Sequence, residues 1–225
     1  MKTIAIIPAY NEEVAIASIV KRSLKYVDRV IVVDDGSVDR TSQRARDAGA
    51  RVIKHYNNLG KGVSLKDAFG EVKGFDIVVT IDGDGQHNPD EMPNLMRPIR
   101  ENRADLVNGS RYLNSDDSTP PHRRIGQKVL DIATNITSGT HVTDSQSGFR
   151  AFSGKTIPFF RFRDTGFGIE SEMLADAAEN DFRIVEVPIT VRYDVENPST
   201  KGSVSHGVGV LIKIIVDKLV RTFRG

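Results

Sequence analysis

The chain contains no cysteine and no tryptophan in its 225 residues. Without cysteine there can be no disulfide and no thiolate-ligated metal, which is compatible with a reducing cytosol. Charge of either sign is not in excess: 31 Lys and Arg face 30 Asp and Glu, for a formal net charge of +1. With no extended basic tract, nothing argues for a nucleic-acid partner. No apolar run approaches the roughly eighteen residues that a membrane span requires. At the N-terminus Met1-Lys2-Thr3 leads straight into Ile4-Ala5-Ile6-Ile7 and then Pro8, too short a run for a signal peptide. The expectation is a soluble or peripheral protein of the cytoplasm. There is no internal repeat, no low-complexity segment and no linker composition, so residues 1–225 are expected to form one domain with a substantial core.

What is present is alternation. Short Ile- and Val-rich runs at residues 3–7, 29–33, 51–54, 76–81 and 105–107 read as strands. Helical patterns at 12–24, 39–48, 61–72 and 89–100 separate them, with Asp39 as a capping residue and Pro89 in a first turn. Strand and helix in turn, with short connections, predict an α/β fold with a mostly parallel central sheet flanked by helices. The second half is less regular. It reads as a loop at 114–121, a helix at 123–138, a strand at 148–152 and a helix within 167–180. One or two strands follow around Pro188 in 183–193, then a mobile loop at 194–207 and a final helix at 209–223.

Chemistry concentrates where strands end. Ile77-Val-Val-Thr-Ile81 is followed by Asp82-Gly83-Asp84-Gly85-Gln86-His87. In an open α/β sheet, ligands bind at the carboxyl ends of strands. Two carboxylates spaced i, i+2 beside glycines suit a hard divalent cation that bridges to substrate phosphates. A calcium loop of the EF-hand kind fails, because its sixth and twelfth positions would be His87 and Pro93. A plain polar turn remains the bland alternative. The first strand ends in Pro8-Ala9-Tyr10-Asn11-Glu12, with Pro8 expected to stop it. The second ends in Asp34-Asp35-Gly36-Ser37, a carboxylate pair that repels itself unless something binds there or one member caps the next helix. Asn57-Asn58-Leu59-Gly60-Lys61-Gly62 places glycines around a lysine at a helix start, which suits contact with a phosphate or a base.

In order, spacing and residue type these segments resemble the family 2 glycosyltransferases of GT-A (Rossmann-like) fold. The likeness continues through Asn108-Gly-Ser-Arg-Tyr112 and Asp144-Ser-Gln-Ser-Gly-Phe-Arg150. It is closest to the branch of dolichol-phosphate mannose and glucose synthases, and it covers nearly the whole chain. The resemblance implies inverting, metal-dependent transfer of a hexose from a nucleotide sugar (GDP-mannose or a UDP-hexose) to a polyprenyl phosphate. Its cofactor would be Mg²⁺ or Mn²⁺. Residues 1–112 would bind the nucleotide sugar and 113–225 the acceptor. Pro8, Ala9, Tyr10, Glu12, Asp35, Lys61, Asp82 and Gly83 would contact the donor, with Asp35 reading the base. Asp82, Asp84 and Gln86 would hold the metal. Asp84, Arg111, Asp144 and Arg150 would be the catalytic group. Arg111, Arg123, Arg124 and Glu170 would meet the acceptor.

An anionic lipid phosphate needs cations to position it rather than a base to deprotonate it. Glu170 and Glu172 would serve as a base only if the acceptor were a saccharide or another hydroxyl; otherwise a solvated helix face is favoured for them. A module that binds nucleotide sugar without catalysis is the third reading, against which the complete Asp82, Asp84, Gln86 set and Arg111 argue. At the C-terminal end Val208, Leu211, Ile212, Ile215, Leu219 and Phe223 share one face of a basic amphipathic helix. Such a helix can lie on the cytoplasmic face of a membrane, and packing against the body of the protein explains the same pattern.

Overall fold

The computed structural model describes residues 1–113 and 121–193, the side chains of 121–123 excepted. The loop expected at 114–121, apart from Pro121 at the head of a helix, the loop at 194–207 and the C-terminal amphipathic helix lie outside the described residues.

Seven strands form one mixed sheet. They are β1 (Thr3–Ala9), β2 (Arg29–Asp34), β3 (Arg51–Lys54), β4 (Ile77–Thr80), β5 (Leu106–Ser110), β6 (Arg150–Ser153) and β7 (Ile184–Pro188), in the spatial order β3-β2-β1-β4-β6-β5-β7. All neighbours pair in parallel except at β6, which runs antiparallel to both β4 and β5. The sheet is therefore mostly parallel, as the alternation predicts, and continuous across residue 112. The helices are α1 (Ile16–Ser23), α2 (Thr41–Asp47), α3 (Lys61–Gly70), α4 (Met92–Arg100), α5 (Pro121–Ser138) and α6 (Ile169–Glu179).

Both sheet faces are covered, so the strands read as continuous apolar runs. Along β1, Ala5 and Ile7 pack with Ile16, Ile19 and Val20 of α1 and Leu95, Met96 and Ile99 of α4. Ile4 and Ile6 point the other way, into a cluster with Leu65 and Phe69 of α3 and Met173 and Leu174 of α6.

Several boundaries differ from expectation. β1 does not stop at Pro8 but runs on to Ala9, with Pro8 opposite Val33. β4 pairs with β1 only as far as Ile6, so Pro8 lies where that edge needs no donor. α1 starts at Ile16 rather than residue 12, because the Glu12 carbonyl accepts from the amides of Ala15 and Ile16 across an intervening turn. The fourth helical stretch opens as a tight 3₁₀ turn, Pro89–Glu91, before α4. β5 extends past Val107 through Gly109, where a Cβ would meet the Phe149 carbonyl oxygen at 2.7 Å.

Strands β2 and β3 lie on one side of β1 and β4 on the other, so the chain reverses its winding between β1 and β4. A crevice at the carboxyl ends of these strands follows from that topology.

Candidate active site

A cleft of about 230 Å³ opens there. Pro8, Ala9, Tyr10, Glu12, Asp35, Lys61, Asp82 and Gly83, all the residues expected to meet a nucleotide sugar, line it together with Asp84. Asn58, Gly60, Ser64 and Phe167 complete the wall. Phe167, half exposed before α6, carries no sequence signal that would have marked it.

The carboxylate pair after β2 divides its work. Asp34 is fully buried; it accepts from the Ser37 amide at 2.9 Å and from the Ser42 hydroxyl, closing the turn into α2. Asp35 turns to the cleft. One of its oxygens accepts from the Leu59 amide at 2.9 Å and faces His55 Nδ1 at 2.7 Å; the other accepts from the Gly60 amide at 2.8 Å. The second oxygen keeps a lone pair for a ligand N–H. His55 in turn reaches Asp67 of α3 with Nε2 at 3.1 Å. The His55 contact was not legible: the residue follows β3 without a motif, and its partners lie 20 and 12 positions away.

The glycines around Lys61 are required by packing, and Gly60 lines the cleft as well. A Cβ on Gly60 would lie 2.2 Å from the Thr165 carbonyl oxygen, and one on Gly62 would lie 1.9 Å from that of Asp164. The Gly62 amide donates to Thr165 O at 3.0 Å, so α3 is stitched to the loop that precedes α6. Lys61 itself bridges two carboxylates, Asp82 Oδ1 and Glu170 Oε1, each at 2.6 Å. Burial opposes its charge, but Asp82 and Glu170 outweigh burial and hold the ammonium above its usual range.

Glu170 and Glu172 are therefore not a solvated face; they are 4% and 5% exposed. Glu172 accepts from the amides of Arg163 and Asp164. Burial raises the Glu170 carboxyl, and its Oε2 has no hydrogen-bond partner. Glu172 is thus committed to the loop before α6, and Glu170 is tied to Lys61 through Oε1.

Asp82 and Asp84 offer a hard, all-oxygen donor pair. Burial and then the neighbouring Asp82 charge push Asp84 up to about 6. A divalent cation would relieve that repulsion. Gly148 leaves room for the Asp82 carboxylate itself, whose Oδ2 a Cβ there would meet at 2.3 Å. Among the described residues no group of three His, Cys, Asp or Glu side chains could hold a metal alone. Two carboxylates with substrate phosphates and water are the usual set for Mg²⁺, so the pair fits such an ion. Gln86 does not line the cleft; its main-chain N–H donates to Asp84 Oδ1 at 3.0 Å and shapes the turn. Burial lowers His87 to about 4, which keeps the ring neutral, packed 5.4 Å from the Phe149 ring.

Beyond β5, Arg111 donates through Nε to Asp144 Oδ2 at 2.6 Å and is near enough to Asp82 and His87 for its charge to act on both. Asp144 is 1% exposed and does not line the cleft; it positions Arg111. Its own loop is pinned by Glu186 of β7, which accepts from the Thr143 amide at 2.8 Å and the Asp144 amide at 3.3 Å. Arg150 corrects the catalytic expectation. At 1% exposure its guanidinium donates to Asn108 Oδ1, Glu170 O and Ser145 O at 2.7–2.8 Å, bracing β5, α6 and the 144–150 segment from inside. Arg124 is exposed, its guanidinium 5.8 Å from the Tyr112 ring centre, with Arg111 at 5.9 Å from the same ring. The side chain of Arg123 lies outside the described residues.

A strand-end cleft that gathers Asp35, Lys61, Asp82 and Asp84 in a sheet of this topology is the arrangement of a nucleotide-sugar transferase of GT-A-like fold. Residues 4–157 match the model of the glycosyl transferase family 2, and the chain belongs to that family. It is 34% identical to a UDP-N-acetylglucosamine–dolichyl-phosphate N-acetylglucosaminyltransferase of Methanococcus voltae, over 92% of this chain and 90% of the relative. It is 31% identical to an undecaprenyl-phosphate mannosyltransferase of Micrococcus luteus, over 92% and 89%. Among solved structures, glucosyl-3-phosphoglycerate synthase of Mycobacterium tuberculosis with Mn²⁺ and UDP-glucose superposes with a TM-score of 0.75 at 25% identity, covering 96% of this chain and 78% of that one.

Proposed function

We propose that this family 2 glycosyltransferase moves a hexose from a nucleotide sugar to a polyprenyl phosphate, with inversion and with Mg²⁺ or Mn²⁺ as cofactor. The observation that carries the acceptor assignment is the state of the two candidate bases. Glu170 is ion-paired to Lys61 through Oε1 and Glu172 is held by main-chain amides, whereas Arg111, held by Asp144, is near enough to Asp82 for its charge to act there. A phosphate acceptor is already an anion and requires the cation, not the base. Relatives whose names specify lipid phosphates support the same choice.

In this reading Asp35 accepts an N–H of the base, and Pro8, Ala9 and Tyr10 border the nucleoside. Asp82 and Asp84 hold the cation, which when bound neutralises charge on the departing nucleoside diphosphate. Arg111, held by Asp144, aligns the acceptor oxygen opposite the leaving group, and Tyr112 with Arg124 extends that cationic approach. Because Lys61 occupies Asp82, the lysine has to share or yield that carboxylate as the donor enters, keeping Glu170 as its counter-charge.

A hydroxyl acceptor is the second reading, favoured by the likeness to a synthase that acts on phosphoglycerate. The test supplies labelled UDP- and GDP-sugars with Mn²⁺ to a polyprenyl phosphate, the corresponding polyprenol or phosphoglycerate. Transfer to the phosphate alone is expected. Equal transfer to the alcohol, or transfer only to phosphoglycerate, overturns the assignment.

A further inference from the structure

Lys61 divides its ammonium between two acids of different standing. Nζ lies 2.6 Å from Asp82 Oδ1, in the pair suited to a divalent cation, and 2.6 Å from Glu170 Oε1, which stands behind the cleft wall. The Glu170 carboxylate is buried and only half used. Lys61 is its partner through Oε1, and Oε2 has none. Arg150, the other cation nearby, gives its hydrogen bonds to Asn108 Oδ1 and to the carbonyls of Glu170 and Ser145, not to this carboxylate. Buried polar atoms are ordinarily satisfied, because leaving one without a bond costs more than making the bond gains. Glu170 therefore holds an acceptor in reserve within reach of the lysine.

The frame around the lysine is fixed. Gly60 and Gly62 on either side of it pack against the carbonyls of Thr165 and Asp164, in the loop that leads to α6. The Asp82 carboxylate is backed by Gly148, where a Cβ would meet its oxygens at 2.3 and 2.6 Å. What can move is the four-carbon stem of Lys61. A space of about 10 Å³ lined by Lys61, Asp82, Glu170, Ser147 and Arg150 leaves the ammonium room to shift. A divalent cation and an ammonium on one carboxylate repel each other. Moving the ammonium wholly onto Glu170 relieves that repulsion and satisfies Oε2 in the same step.

We propose that Lys61 guards the cation site and that Glu170 receives it: as a divalent cation takes Asp82 and Asp84, the ammonium leaves Asp82 Oδ1 and closes on both oxygens of Glu170. Without the cation, the lysine stands in for it and balances Asp82. Glu170 is thus a positioning residue that acts through Lys61. The inference rests on the reading that Asp82 and Asp84 hold the cation. It implies that neutralising Glu170 leaves the lysine with Asp82 as its one counter-charge in this cluster, where it competes harder with the cation.

The test is Mn²⁺ binding to the full chain, read from the electron paramagnetic resonance signal of free Mn²⁺, without nucleotide and with UDP or GDP. Wild type, Lys61→Met, Glu170→Gln and the double variant form a cycle. Glu170→Gln should weaken Mn²⁺ binding about tenfold when Lys61 is present, and less than about threefold when it is already Met. A Glu170 charge that acted on the cation directly would weaken binding equally in both backgrounds, and equal losses overturn the proposal. A crystal structure of the wild type with Mn²⁺ and the nucleotide needs no variant to fold. It should show Nζ on both Glu170 oxygens and off Asp82; Nζ still on Asp82 Oδ1 beside bound Mn²⁺ overturns the proposal. Asp84→Ala separates the two readings. Mn²⁺ held as tightly by that variant as by wild type, or not held by the wild type at all, removes the cation assignment and the guard with it. Mn²⁺ binding lost in Asp84→Ala, with equal losses around the cycle, keeps the assignment and removes the guard alone.

Discussion

His55 clamps Asp35: its Nδ1 lies 2.7 Å from Asp35 Oδ1, while its Nε2 is anchored on Asp67 at 3.1 Å. The carboxylate that faces the cleft is thus aimed by a ring tied to α3. Replacing Asp35 by alanine should weaken nucleoside diphosphate binding by about 1–3 kcal/mol. It should also lower the thermal midpoint, because the Leu59 and Gly60 amides lose their acceptor. His55→Ala should weaken binding less, by about 1 kcal/mol, since Asp35 keeps its amide partners. Titration calorimetry measures both; unchanged affinity in Asp35→Ala would remove its role in reading the base.

Asp84→Ala should abolish transfer with the fold intact. Asp84 takes one main-chain hydrogen bond, from Gln86, and supports no core packing. The sharper readout is binding: the gain in nucleotide affinity on adding Mn²⁺ should vanish in the variant. If that gain persists at its wild-type size, the cation is held elsewhere.

Lys61→Met should be strongly destabilising, by about 3 kcal/mol, because it leaves Asp82 and Glu170 facing each other without their cation. Adding Glu170→Gln should recover part of the loss. Urea unfolding of the two single variants and the double gives the coupling directly. Additive losses would mean that Lys61 and Glu170 do not act as a pair.

Arg111→Lys should cut transfer more than tenfold while donor affinity stays near wild type. Lysine cannot reproduce the planar contact to Asp144 and a phosphate together. A parallel fall in donor affinity would instead assign Arg111 to the nucleotide sugar.

Asp105 makes a pH prediction. Hydrogen bonds from Arg183 and then Lys155, outweighing burial, hold its carboxyl well below the usual range. The folded pKa is lower than the unfolded one, so the stabilisation is fully present above about pH 5 and is lost as pH falls toward the folded value. Asp105→Asn should cost about 1 kcal/mol at neutral pH, the low end for charged bonds because both partners are about half exposed. Stability curves of wild type and variant should begin to converge below about pH 4 and go on converging as pH falls toward the folded value; a constant gap would contradict the charge argument.

The parts legible in sequence are those in which function sits on a local pattern. A buried Ile-Val run that ends in Asp82-Gly-Asp84 announces both a strand and the chemistry at its tip, and the same holds for Asp35 after β2. Parts that depend on distant pairing were not legible. α6 is buried along Ile169–Ala177, so its carboxylates had no solvent to face, and Glu170 finds its partner in Lys61 more than a hundred residues earlier. Arg150 belongs to a motif that reads as substrate-facing, yet β6 lies between two strands, and the guanidinium turns into the protein. Pro8 suggested a strand end because proline lacks a donor; whether that donor is needed depends on where β4 stops, which no local pattern states.

The place of β6 has a consequence for how the chain is made. Residues 150–153 pair with β4 on one side and β5 on the other, so those two strands share no ladder until β6 arrives between them. On a ribosome releasing the chain from its N-terminus, β4 and β5 emerge well before their common partner. Until then each presents an apolar edge with unsatisfied amides, the kind of surface that recruits chaperones or another nascent chain. A product truncated anywhere before residue 150 would carry those open edges permanently. The donor cleft should accordingly appear late and all at once during synthesis, not with the strands that line it.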